Sequence, residues 1–165
     1  MLKSLLILCT FVSTTLGIGS AQATVRVESS NLQGPRALPE QTGTAAVRDY
    51  LQSWQNLRAA LEHNRADLLD PAFAGTAREK LSETIQQQTA LGIRTRYQHR
   101  AHDIHIVFYS PEGLSIELTD DVEYDLQILD SERVKTTQHI NARYVIVLTP
   151  AEVRWRVRVF QAALK

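Results

Sequence analysis

The chain is nearly without sulfur. Its 165 residues hold one cysteine, Cys9, and one methionine, Met1. It also lacks a charge bias, with 18 basic residues against 18 acidic ones. A neutral chain has no electrostatic reason to seek nucleic acid or anionic lipid. Long apolar runs are missing too. Leu5 to Val12 (LLILCTFV) is the apolar stretch near the start, and a membrane-spanning helix needs ~20 residues. There is no Asn-x-Ser/Thr sequon, no G-x-S-x-G and no glycine-rich phosphate loop. Glycosylation at asparagine, a serine-hydrolase elbow and a P-loop are therefore not expected.

What the first residues do contain is an export signal. Lys3 gives a positive start, Leu5 to Val12 a short apolar core, and Ala21-Gln22-Ala23 a small-x-small cleavage site. Cys9 lies inside the apolar core behind Leu8, where a lipobox would want a small residue. Residues 1–23 are thus expected to be removed, and the protein to be secreted or periplasmic. Removing 23 of 165 residues leaves 142, one domain's worth. Cys9 leaves with the signal, so the exported chain has no internal disulfide and must rely on a hydrophobic core.

Residues 24–41 (TVRVESSNLQGPRALPEQ) are polar and broken by Gly34, Pro35 and Pro39. They read as a flexible leader before a domain spanning 42–165. Val47, Tyr50, Leu51, Trp54, Leu57 and Leu61 then recur at helical spacing, predicting a helix from about Thr44 to His63. One or two helical turns fit Arg65 to Gly75. Thr76-x-x-Glu79 has a capping-box pattern opening a second helix, with Ala77, Leu81 and Ile85 inward and Gly92 closing it.

After Gly92 the period drops from 3.6 to 2. The alternation predicts four strands, each with one face on a core. The inward sets are Ile104, Ile106 and Phe108; Ile116, Leu118, Val122, Tyr124, Leu126 and Ile128; Ile140, Ala142, Tyr144, Ile146 and Leu148; and Val153, Trp155, Val157 and Val159. The turns suggest the register. Pro111-Glu112-Gly113 puts Phe108 opposite Ile116 and Ile106 opposite Leu118. A loop through Ser131 to Lys135 puts Tyr124 opposite Ala142 and Glu123 opposite Arg143. The turn Thr149 to Glu152 puts Ile146 opposite Trp155, Tyr144 opposite Val157 and Arg143 opposite Arg158. Glu117, Asp121, Glu123 and Asp125 then share a solvent face with Arg143, Arg154, Arg156 and Arg158, which reads as cross-strand pairing on an exposed sheet.

Two sets of residues suggest chemistry. His99, His102 and His105 are three apart beside Asp103. On a strand, His99, Asp103 and His105 face one way and His102 the other, so convergence on a metal is not expected. His102 and Asp120 both fall on apolar faces, and the first hairpin places Asp120 opposite Ile104, diagonal to His102. They are the candidate catalytic pair, within hydrogen-bond reach, as a buried carboxylate and imidazole can form a general acid/base couple. A structural hydrogen bond would look the same. Tyr50, Trp54, Tyr124, Tyr144 and Trp155 point to the helix–sheet interface and would line a pocket if the sheet curls enough to leave one.

The order of helix, short helix, helix and antiparallel sheet resembles the nuclear transport factor 2-like (SnoaL-like) superfamily. The resemblance rests on Tyr50-Leu51-x-x-Trp54 with Leu57, on Ala66-Asp67-Leu68-Leu69, and on Tyr144 to Leu148 followed by Arg154-Trp155-Arg156-Val157. It covers about Thr44 to Gln161. It implies an α+β, cystatin-like cone, with N-terminal helices packed on a curved antiparallel sheet around a pocket. Some members are isomerases or dehydratases; many only bind or dimerise. Thr149-Pro150-Ala151-Glu152 departs from the family, where many relatives have a glycine-bearing turn before the tryptophan. No enzyme motif of the superfamily can be matched, so no active site is carried over. The expected function is noncatalytic binding of a small apolar ligand or a protein, with a homodimer through the sheet face as one form. The alternative is a small isomerase, dehydratase or hydrolase using His102 and Asp120. No cofactor is expected.

Overall fold

The computed structural model describes residues 23–28, 32 and 36–163. The expected signal lies outside them, apart from Ala23. The chain forms strand β1 (Thr24–Glu28), helix α1 (Glu40–His63), a 3-10 turn (Ala66–Leu69) and helix α2 (Gly75–Ala90). Strands β2 (Ile93–Tyr109), β3 (Ile116–Asp130), β4 (Arg133–Pro150) and β5 (Trp155–Ala163) follow. The strands make one mixed sheet in the order β1-β2-β3-β4-β5. The helices pack on one face of it, giving the expected α+β fold. No helix among the described residues is long and apolar enough to cross a membrane.

The expected leader is partly structured. Thr24–Glu28 pairs in parallel with Ala101 to His105, and Arg26 holds Asp103 through two hydrogen bonds of 3.0 and 2.6 Å. Its Val-x-Val alternation is a strand signal too short to stand out among the polar residues around it.

Helix α1 starts four residues before Thr44. Its inward stripe of Val47, Tyr50, Trp54, Leu57 and Leu61 is buried, each large apolar side chain contributing about 1.5–3 kcal/mol by leaving water. The helix ends at Asn64 in the left-handed region, and Asn64 Nδ2 donates to the Ile93 carbonyl at 3.0 Å. Buried Gln88 of α2 ties this corner together. Its Nε2 donates to the Leu61 carbonyl at 2.7 Å and its Oε1 accepts from Thr95 at 2.9 Å. The capping box does not form, since α2 begins after Ala74 and Thr76 Oγ1 donates instead to the Arg158 carbonyl.

Register is where the structure departs most from the alternation. Ile106 faces Leu118 and Ile104 faces Asp120, as expected, but a bulge at Val107 puts Tyr109, not Phe108, opposite Ile116. The second hairpin turns tightly at Ser131–Glu132, with Ser131 at φ 56°, so Tyr124 faces Ile140 and Glu123 faces Asn141. Arg143 faces Asp121 and binds it at 2.5–3.2 Å. In the third hairpin Ile146 faces Phe160 and Tyr144 faces Ala162, while Trp155 faces Pro150. Arg143 faces Ala163, so the expected Arg143–Arg158 opposition does not occur. Further bulges lie at Arg100 on β2, Lys135 on β4 and Arg158 on β5. A bulge bends its strand and adds local twist, which helps the sheet curl around α1.

Candidate functional site

Asp120 stands mid-strand on β3, between Ile104 of β2 and Tyr144 of β4. The hairpin register aims its carboxyl inward beneath α1, where it is 0% exposed. A buried carboxylate needs donors, and three converge on it. Its Oδ2 accepts the Tyr50 hydroxyl at 2.8 Å and lies 2.7 Å from His102 Nδ1; its Oδ1 accepts the Asp103 backbone N–H at 3.2 Å. His102 is itself 4% exposed. One turn along α1, Trp54 Nε1 donates to the Tyr50 oxygen at 2.9 Å. The network therefore runs from the Trp54 N–H through the Tyr50 O–H to Asp120, which also holds His102. Burial, reinforced by the Asp120 charge, pushes the Tyr50 hydroxyl well above its ordinary pKa, so Tyr50 remains a donor.

The expected pair is thus brought together, and so is most of the expected aromatic set. The Trp54 indole, 2% exposed, fills the space between α1 and the sheet. Six rings surround it at centroid distances of 4.7–6.1 Å: Tyr97, His99, His102, Tyr124, Tyr144 and Phe160. Tyr144 stacks on Phe160 at 4.7 Å, and its hydroxyl meets that of Tyr124 at 3.0 Å. Burial raises the pKa of both Tyr97 and Tyr144. Trp155 stands apart from this ring cluster. It is half-buried at the base of the last hairpin, where its backbone N–H donates to Asp49 Oδ2 at 2.8 Å.

The alternation missed three members of the cluster, Tyr97, His99 and Phe160. The Arg100 bulge reverses the strand's phase, so His99 faces inward with His102, their ring centroids 5.1 Å apart. The expectation that they point to opposite faces is corrected. His99 lacks a hydrogen-bond partner at Nε2 among the described residues. Its pKa falls to about 4 because burial, then His102 and Arg58, disfavour the imidazolium. The Arg158 bulge reverses β5 in the same way and turns Phe160 inward. The sequence signal for the first reversal was the change from Tyr97 and His99 to His102 and Ile104.

On the outer face, His105, Asp103 and Glu28 come together closely enough for one ion, with ligand atoms within 4.8 Å of one another. Arg26 occupies that place, bound to Asp103 and 3.5 Å from Glu28, and a guanidinium between two carboxylates opposes a cation. Two clefts also lie outside the aromatic cluster. One, open and of about 380 Å³, runs along Glu40, Gln41, Thr44, Ala45 and Arg48 of α1. The other, of about 170 Å³, is lined by Ala101, Asp121, Val122, Glu123, Asn141 and Ala142 of the sheet.

Solved structures of low sequence identity share this fold. The intermembrane-space region of the chloroplast protein ARC6 superposes with a TM-score of 0.64 at 12% identity, covering 79% of this chain and all of that one. A Novosphingobium aromaticivorans protein, provisionally named a scytalone dehydratase, gives 0.51 at 9% identity over 76% and 89% of the two chains. A protein from Catenulispora acidiphila gives 0.53 at 11% over 75% and 94%. The chain has the nuclear transport factor 2-like fold. At these identities the likeness is one of fold. No family model matches the chain, and no curated protein matches it.

Proposed function

We propose that this nuclear transport factor 2-like chain is an exported, noncatalytic domain that binds or assembles with protein through its outer surfaces. The observation that supports this reading is the filled cone. Trp54 fills the space between α1 and the sheet against six rings, and the Asp120 carboxylate has donors from within the chain at both oxygens. Small-molecule sites are commonly concavities of about 300–1,000 Å³, and the clefts of about 380 and 170 Å³ described above lie outside the ring cluster. The His102–Asp120 bond then serves to pin β2 and β3 beneath α1. Export follows from the signal pattern of residues 1–23.

One observation favours a second reading. An imidazole oriented by a carboxylate, with a tyrosine hydroxyl beside it, is an acid/base arrangement suited to a dehydratase or isomerase. It requires Trp54 to leave the cone so that substrate can reach His102. NMR titration of the exported chain with 1-naphthol tests both. The filled-cone reading predicts no saturable shift at the Trp54 indole N–H or the His102 ring. Saturable shifts at both would support an occupied cone and overturn it.

A further inference from the structure

The Arg100 bulge turns His99 to the same face as His102, which removes the reason to keep the two off one metal ion. Their ring centroids are 5.1 Å apart. Two imidazoles bound to one ion at about 2.0 Å have centroids about 5–6 Å apart, depending on the angle at the ion. Each ring has a nitrogen to offer. His99 Nε2 is buried without a hydrogen-bond partner among the described residues. Burial, then His102 and Arg58, lower its pKa to about 4, so the ring is neutral at pH 7. Protonated at Nδ1, it presents a lone pair at Nε2. His102 is held at Nδ1 by Asp120, 2.7 Å away, which leaves its Nε2 for a ligand. Metal-binding histidines usually give their other ring nitrogen to a carboxylate or carbonyl in this way.

Charge points the same way. Asp120 is wholly buried, and its donors from Tyr50 and the Asp103 backbone are neutral. Balancing its charge takes a cation at His102, either a proton on the ring or an ion at Nε2. The Trp54 ring is centred 4.7 Å from His99 and 5.7 Å from His102, and the face of an indole attracts cations. Arg58 opposes a cation near His99, but Glu62 lies 3.8 Å from its Nε.

We infer that His99 Nε2 and His102 Nε2 form a buried site for one copper(I) ion. Two nitrogen donors are too few for zinc, whose sites commonly use three or four protein ligands. Copper(I) accepts as few as two, and imidazole suits copper. A single positive charge matches the Asp120 carboxylate, whereas a dication would leave one charge unbalanced in the core. His99 is half-buried, so the pair lies one side chain below the surface. An ion between two rings needs no cavity of ligand size and is compatible with a filled cone. The inference goes beyond the assembly reading above and does not depend on it.

Anaerobic titration of the exported chain with copper(I), in competition with bicinchoninate, tests this. Wild type is expected to bind one ion per chain. His99→Phe should keep the wild-type circular dichroism spectrum and weaken binding about tenfold or more. His105 and His139 lie against outer-face carboxylates instead, so His105→Gln and His139→Gln should leave the affinity unchanged. Replacing His102 would also untie Asp120, so its part is read in the wild type. On adding copper(I), the Nε2 resonances of His99 and His102 should both shift in nitrogen-15 spectra. Absence of saturable binding overturns the inference. So does binding that His99→Phe leaves unchanged, or that shifts neither ring, since the ion then sits elsewhere.

Discussion

His102 Nδ1 lies 2.7 Å from Asp120 Oδ2, on the inward faces of adjacent strands and one diagonal step apart. Tyr50 completes the arrangement from the helix above. The three side chains fix α1, β2 and β3 relative to one another, so deleting one should leave the others buried and unpaired.

Replacing Asp120 with alanine is therefore expected to destabilise the fold by about 3–5 kcal/mol, more than removing His102. A double-mutant cycle of Asp120→Ala and His102→Ala, followed by urea unfolding, should give a coupling energy of about 1–3 kcal/mol. Additive losses would mean that the short contact contributes little.

Trp54→Ala empties the centre of the ring cluster. The expected cost is about 3–5 kcal/mol, as for other large buried aromatics. The new cavity should be apolar and should bind indole, raising the melting temperature of the variant and not that of wild type. Calorimetry with and without indole reads both effects. A variant that loses stability without responding to indole has collapsed around the gap.

His99 gives a pH dependence. Its pKa is near 4 in the fold against 6.5 for the free side chain, with burial as the main cause. Between these values the unfolded chain takes up the proton and the folded chain does not. Stability should therefore fall as pH drops from about 6.5 to 4, and the slope should flatten below the folded value. The carboxylates held by Arg26 and Arg100, Asp103 and Asp125, have lowered pKa values. Their contribution is lost only below their ordinary value of 3.8, outside the window of His99. Denaturant unfolding from pH 7 to 4 should show the slope in wild type and a reduced slope in His99→Phe.

These predictions also mark what was legible in the chain. The helices followed from periodicity and the left-handed Gly113 from turn chemistry, whereas the facing of Asp120 by Ile104 held because the Val107 bulge offsets a one-residue shift at the turn, where Tyr109 and not Phe108 faces Ile116. Tyr124 was displaced by two positions because Ser131 takes the left-handed conformation of a tight turn, which a non-glycine residue rarely does. Tyr97, His99 and Phe160 were missed for a shared reason. Single-residue bulges at Arg100 and Arg158 invert the inward phase, and alternation assumes an unbroken phase. The filled interior was not legible because it depends on how far those bulges curl the sheet.

The central claim is that Trp54 fills the cone and no small molecule enters beside it. The chain has two tryptophans, so Trp155→Phe leaves Trp54 as the sole indole reporter. Acrylamide quenching of its fluorescence measures access directly. The account predicts blue-shifted emission and quenching many-fold weaker than that of the unfolded chain in urea. Emission quenched almost as readily in the folded protein as in the unfolded one would show an open cone and contradict it.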